Sequence, residues 1–114
     1  MFDSDHKLKI LAIGAHGDDI ELACGGTLAK AMEQNHEVEM VLVTGNDSSD
    51  HNNVAIRANG VAEQEAKAAA KVLGVSKLHI LGYQDTCVPY SAELVSKLDE
   101  IISEFRPDII FTHF

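Results

Sequence analysis

The chain predicts a three-layer α/β/α fold built on a mainly parallel sheet, and three observations carry that expectation. Short apolar runs rich in β-branched residues alternate along the chain with stretches of helical periodicity, the pattern of strands joined by crossover helices. The strand-like runs are short and mostly apolar, as strands covered on both faces are. Hydrophobic residues make up 46% and charged residues 24% of the 114 residues, the balance of a globular chain long enough to bury a core.

The elements follow in order. Lys7 to Gly14 reads as a buried strand ending at glycine, Val38 to Thr44 as a second, Leu78 to Leu81 as a third and Ile109 to Thr112 as a fourth. Pro107 stands before the last because it cannot continue a helix. The first helix is expected over Thr27 to Gln34, with Asp18 to Cys24 adding a turn in front of it. The second runs from Glu63 to Leu73, with Ala66, Ala69, Ala70 and Leu73 on one face and Gly74 as its stop. The third runs from Ala92 to Phe105 behind Ser91 as N-cap, and its Leu94, Val95, Leu98, Ile101, Ile102 and Phe105 form a core-facing stripe. The result is a Rossmann-like order. Gly45 to Gly60 is the exception: a long segment rich in Asn, Asp and Ser after a strand's carboxyl end, where loops of that length usually serve function.

The formal net charge of −9 argues against a nucleic-acid or anionic-membrane partner, since both need clustered Lys and Arg. The start, Met1 to His6, is acidic and carries no signal-peptide pattern, and no apolar run is long enough to span a bilayer. Cys24 and Cys87 are far apart and outside any CxxC pattern, which predicts two free, mostly buried thiols in a reducing compartment and hence a cytoplasmic protein.

In open α/β sheets the ligand sits at the carboxyl ends of the strands, so chemistry is sought first at Gly14-Ala15-His16-Gly17-Asp18-Asp19-Ile20-Glu21. A nucleotide-binding turn would offer bare backbone N–H groups to a phosphate. Here Asp18 and Asp19 fill the anion position. They suit a cation, and an imidazole beside a carboxylate favours zinc or a similar divalent transition ion over magnesium or calcium. His16 and Asp19 could converge on one ion across Gly17, leaving Asp18 to take a proton from an attacking water. The spacing alone is equally compatible with an acidic helix N-cap beside a hydrogen-bonded histidine and no metal.

Ala15, His16, Asp18, Asp19 and Glu21, followed by Gly25-Gly26-Thr27-Leu28, resemble the first motif of the LmbE/PIG-L family of zinc-dependent N-deacetylases. Supporting similarity lies in Leu42-Val43-Thr44, in Arg57 ahead of a helix ending Ala69-Ala70-Lys71-Val72-Leu73-Gly74, in Leu81-Gly82-Tyr83-Gln84-Asp85, and in Arg106-Pro107-Asp108 through Thr112-His113. The resemblance implies His16 and Asp19 as zinc ligands, Asp18 as general base, Arg57 and His113 as substrate-side residues, and Glu21 as a hydrogen-bonding support for the turn. The reaction implied is hydrolysis of an acetamide on N-acetylglucosamine or a conjugate of it. Two departures stand out. The family usually has proline where Gly17 stands, and its third zinc ligand and electrophilic histidine come from a His-x-Asp-His loop soon after the strand that ends here at Thr112-His113. The expectation is therefore a single domain, 1–114, that is the N-terminal portion of a longer one and poorly active alone, its open sheet edge prone to self-association.

Two other readings use the same turn. A receiver-like signalling domain would hold magnesium on Asp18 and Asp19, but it needs a phosphoacceptor aspartate at the end of strand three and a lysine after a fifth strand. A non-catalytic binding module would keep the turn without the chemistry. Among the remaining histidines, His6, His36 and His79 have no ligand-like spacing and read as surface or structural, while His51 on the long loop is placed where it could reach the site. Tyr83 and Asp85, just after the third strand, are candidates for a substrate or structural hydrogen bond.

Overall fold

β1 (Lys9–Gly14) lies inside the sheet because its residues are apolar toward both faces. Ile10 and Ala12 join one buried cluster, while Leu11 joins another on the opposite side. In the computed structural model, which describes residues 6–47, 52, 54 and 59–113, the chain continues through α1 (Gly17–Glu33), β2 (Glu37–Thr44), α2 (Asn59–Leu73), β3 (Lys77–Tyr83), α3 (Ala92–Phe105) and β4 (Ile109–Thr112). The four strands are all parallel, in the order β3-β2-β1-β4. Gly14 pairs with Leu42, Ile13 with Thr112 and Thr44 with Tyr83, so all four carboxyl ends meet at one edge.

That order decides against the receiver-like reading. Receiver-type sheets run 2-1-3-4-5, whereas here β2 stands between β1 and β3. The three-layer expectation holds: α1 and α2 cover one face, over Ile10, Ala12, Val38, Met40 and Leu42, and α3 covers the other through Phe105, Leu98, Ile101 and Ile102. Ser91 caps α3 as expected, its Oγ accepting the Leu94 N–H at 3.2 Å.

The departures are local. α1 is one continuous helix from Gly17, not a short helix with a turn in front, and Gly25 is buried within it beside Leu73 of α2. Tertiary packing overrides the low helix propensity of Gly25-Gly26. β3 extends past Leu81 to Tyr83 through Gly82 at φ +79°, beside a register shift between Leu42 and Thr44. Such irregularities re-aim the chain that follows them. Cys87 is exposed rather than buried, on the turn in which its N–H donates to Gln84 O. Val95 is also exposed, so α3 buries a narrower stripe than its sequence offers. His36 and His79 are structural: His36 is buried and its Nδ1 accepts the Leu8 N–H, and His79 pairs with Glu39 at 2.6 Å. No helix among the described residues is long and apolar enough to cross a membrane.

Candidate metal centre

The turn between β1 and α1 presents the sequence motif at the strand ends. His16 is the extended residue before the helix (φ −127°, ψ 164°), and its N–H donates to Asp19 Oδ2 at 2.9 Å. That bond fixes the Asp19 carboxylate over the first turn, where free backbone N–H groups stabilise negative charge. Asp18 is exposed beside it. One donor atom from each of His16, Asp18 and Asp19 lies within 4.8 Å of the others.

Neighbouring strands hold the turn in this shape. Ala15 O accepts from Thr44 twice, from the hydroxyl at 2.8 Å and from the backbone N–H at 3.1 Å. The Gly17 N–H donates to Asn46 Oδ1 at 2.8 Å, and Asn46 Nδ2 in turn donates to Ala62 O on α2. A proline at position 17 would have no such donor, so the Gly17–Asn46 bond is one that the proline usual at this position in the resembling family could not make. From β3's end, Asp85 Oδ1 sits 2.8 Å from His16 Nε2. Glu21 borders Gly17 and lines the same cleft, about 480 Å³, with Asn46, Asp47, Glu65 and Asp85.

The donor set can accommodate a divalent metal ion. Two ligands on bonds of ~2.0–2.1 Å at a tetrahedral angle stand roughly 3.4 Å apart, and His16 Nδ1 lies 3.7 Å from Asp19 Oδ2. One imidazole with carboxylates favours zinc-type ions over the all-oxygen shells of magnesium or calcium.

His113 follows β4 and is more exposed. Its Nε2 is 3.8 Å from Asp19 Oδ2 and accepts the Ala15 N–H over a long 3.4 Å. The structure thus brings His16, Asp18, Asp19 and His113 together, while Arg57 and His51 lie outside the described residues. Asp85, a candidate for a substrate or structural hydrogen bond, makes one to His16. Thr44 and Asn46 are the positions whose part in the site the sequence did not assign, and their one signal is placement at the end of β2. Cys24 lines an adjacent groove with Phe111, Thr112 and His113. Burial pushes its thiol above the usual 9.0, which disfavours a thiolate nucleophile there.

Sequence and structure comparisons agree on kinship. A family model described as PIG-L, GlcNAc-PI de-N-acetylase, matches residues 11–114. The chain is 32% identical over 104 residues to a diacetylchitobiose deacetylase of Thermococcus kodakarensis, covering 90% of this chain and 39% of that protein. It is 34% identical over 112 residues to the uncharacterized deacetylase YaiS of Escherichia coli, covering 94% of this chain and 56% of the other. Among solved structures, the N,N'-diacetylchitobiose deacetylase of Pyrococcus horikoshii superposes with a TM-score of 0.77 at 32% identity, over 90% of this chain and 39% of that one. The chain therefore spans roughly two fifths to just over half the length of these relatives.

Proposed function

The chain belongs to the PIG-L family of de-N-acetylases, and from that premise we propose that it forms the metal-bearing part of a zinc-dependent hydrolase that removes the acetyl group from an N-acetylglucosamine-type sugar or conjugate. The observation that carries the reading is the convergence of His16, Asp18 and Asp19 at the carboxyl edge of the sheet. His16 and Asp19 would hold the ion, and its chemistry, when bound, is Lewis-acid polarisation of the amide carbonyl.

The chain's own residues supply the rest of this proposal. Asp18, exposed and beside the other two donors, accepts a proton from the water that adds to the acetyl carbon. The new C–O bond forms as the carbonyl π pair moves onto oxygen; when C=O re-forms, the C–N bond breaks and its electron pair takes the proton held by Asp18, leaving acetate and the amine. His113, at the mouth on the β4 side, and Arg57 would contact the sugar. Further donors, a third ligand and a group for the oxyanion, would come from the length of the relatives that this chain does not match.

The test uses the full-length chain. Zinc content and acetate release from an N-acetylglucosamine conjugate are measured for wild type and Asp18→Asn. Turnover abolished with zinc retained is the expected result. Near-normal turnover in Asp18→Asn would remove Asp18 as the base, and a wild type without zinc would remove the metal reading.

A further inference from the structure

We infer that Asp85 is the positioning residue for His16: its carboxylate accepts the hydrogen bond of Nε2–H and thereby keeps Nδ1, the nitrogen facing Asp19, as the lone-pair side of the ring, which accepts in the capping box at the helix start and is the atom available to a cation. The inference rests on the metal reading above and extends it to a residue on a different strand.

The geometry carries it. His16 Nε2 and Asp85 Oδ1 are 2.8 Å apart, within the range of a charge-assisted hydrogen bond. An ionised carboxylate only accepts, so the ring nitrogen must donate. A neutral imidazole has one N–H, so fixing it on Nε2 leaves Nδ1 as the acceptor. Nδ1 is the ring atom on the Asp19 side, 3.7 Å from Oδ2. Had Nε2 been the nitrogen aimed at Asp19, the bond to Asp85 would compete with metal binding; as built, the two cooperate. Asp85 is well placed for this task, with a side chain only 13% exposed against 28% for His16. It follows Gly82 and Tyr83, where the positive φ of Gly82 redirects the end of β3. Carboxylates bound to the far nitrogen of a metal-bound histidine orient the ring and raise its basicity, and losing one typically weakens metal binding ~10–100-fold.

Two measurements on the full-length chain test it. The first is the ring-nitrogen NMR spectrum of His16 in metal-free protein, assigned with His16→Ala, in slightly alkaline buffer where an ordinary imidazole is neutral. Wild type should show the Nε2–H tautomer, and Asp85→Ala a mixture of tautomers. The second is zinc affinity by competition with a chromophoric chelator, where Asp85→Ala and Asp85→Asn should bind ~10–100-fold more weakly. If Asp85→Ala perturbs amides beyond the turn, the isosteric Asp85→Asn decides the matter. A wild-type Nδ1–H tautomer, or zinc affinity unchanged in both variants, overturns the inference. Zinc binding that is equal in wild type and variants leaves the metal reading standing and sinks only the role of Asp85. A wild type that shows the Asp85-dependent tautomer but binds no zinc sinks the metal reading and leaves Asp85's hold on the ring in place.

Discussion

The two flanks of the β1–α1 turn are built differently. On the β2–β3 side, Thr44, Asn46 and Asp85 each reach the turn through bonds of 2.8 Å to Ala15, Gly17 and His16. On the β4 side the contact is His113, whose side chain is 58% exposed and whose nearest approach to the turn is 3.4 Å. One flank sets the geometry of the donors; the other is an open approach with a histidine at its rim. The difference teaches that the candidate site is shaped by strand ends distant in sequence.

The largest expected effect comes from breaking the donor set itself. Asp19→Ala removes both a proposed ligand and the acceptor of the His16 N–H, so zinc affinity should fall by more than the ~10–100-fold typical of an outer partner. Zinc content after gel filtration measures this, and stoichiometric zinc in the variant would move the site elsewhere. Next comes Thr44→Val on the rigid flank. Thr44 is 1% exposed, and its hydroxyl also accepts the Asn46 N–H at 3.1 Å. Stranding that N–H and removing a donor to Ala15 O should cost ~1–3 kcal/mol in denaturant unfolding, with Thr44→Ser close to wild type. Asn46→Ala, which leaves the Gly17 N–H without its acceptor, should cost ~1 kcal/mol. The matching change on the open flank, His113→Ala, should stay within about 0.5 kcal/mol. A His113→Ala cost equal to that of Thr44→Val would erase the distinction between the flanks.

What the sequence made legible follows the same divide. The strands are readable because Ile10, Leu11 and Ala12, or Met40, Val41 and Leu42, are apolar toward both faces and need no long-range information to be recognised. The donors His16, Asp18 and Asp19 were readable because they lie within one turn of chain. The bracing was not. His16 and Asp85 are 69 residues apart, and Gly17 and Asn46 are 29 apart, so the bonds exist only once the parallel register has brought three strand ends to one edge. The start of α1 differs from its sequence pattern for a related reason: Gly25-Gly26 reads as a breaker until Leu73 of another helix is packed beside Gly25.

The smallest effect tests whether the rigid flank extends to α3. Tyr83, two residues before Asp85, donates its hydroxyl to Glu93 at 2.8 Å, and Lys97 lies 3.4 Å from Glu93 and over the Tyr83 ring at 4.8 Å. The Tyr83 hydroxyl, and then Lys97, hold the Glu93 carboxyl below its ordinary 4.5. Glu93, chiefly by that same hydrogen bond, raises Tyr83 above its ordinary 10.0. The signs set a window. Glu93 is depressed, so its contribution is full above 4.5 and fades as pH falls through its lower folded value. Tyr83 is raised, so its contribution is full below 10.0 and fades as pH rises through its higher folded value. Both groups are solvent-exposed, so the contribution is small and screened by salt. Urea midpoints of wild type and Glu93→Gln should therefore differ slightly and constantly between about pH 5 and 9, and converge toward acid. A difference that does not shrink toward acid would show that Glu93 is not held by Tyr83, and would confine the bracing of the β3 end to Asp85 and its own turn.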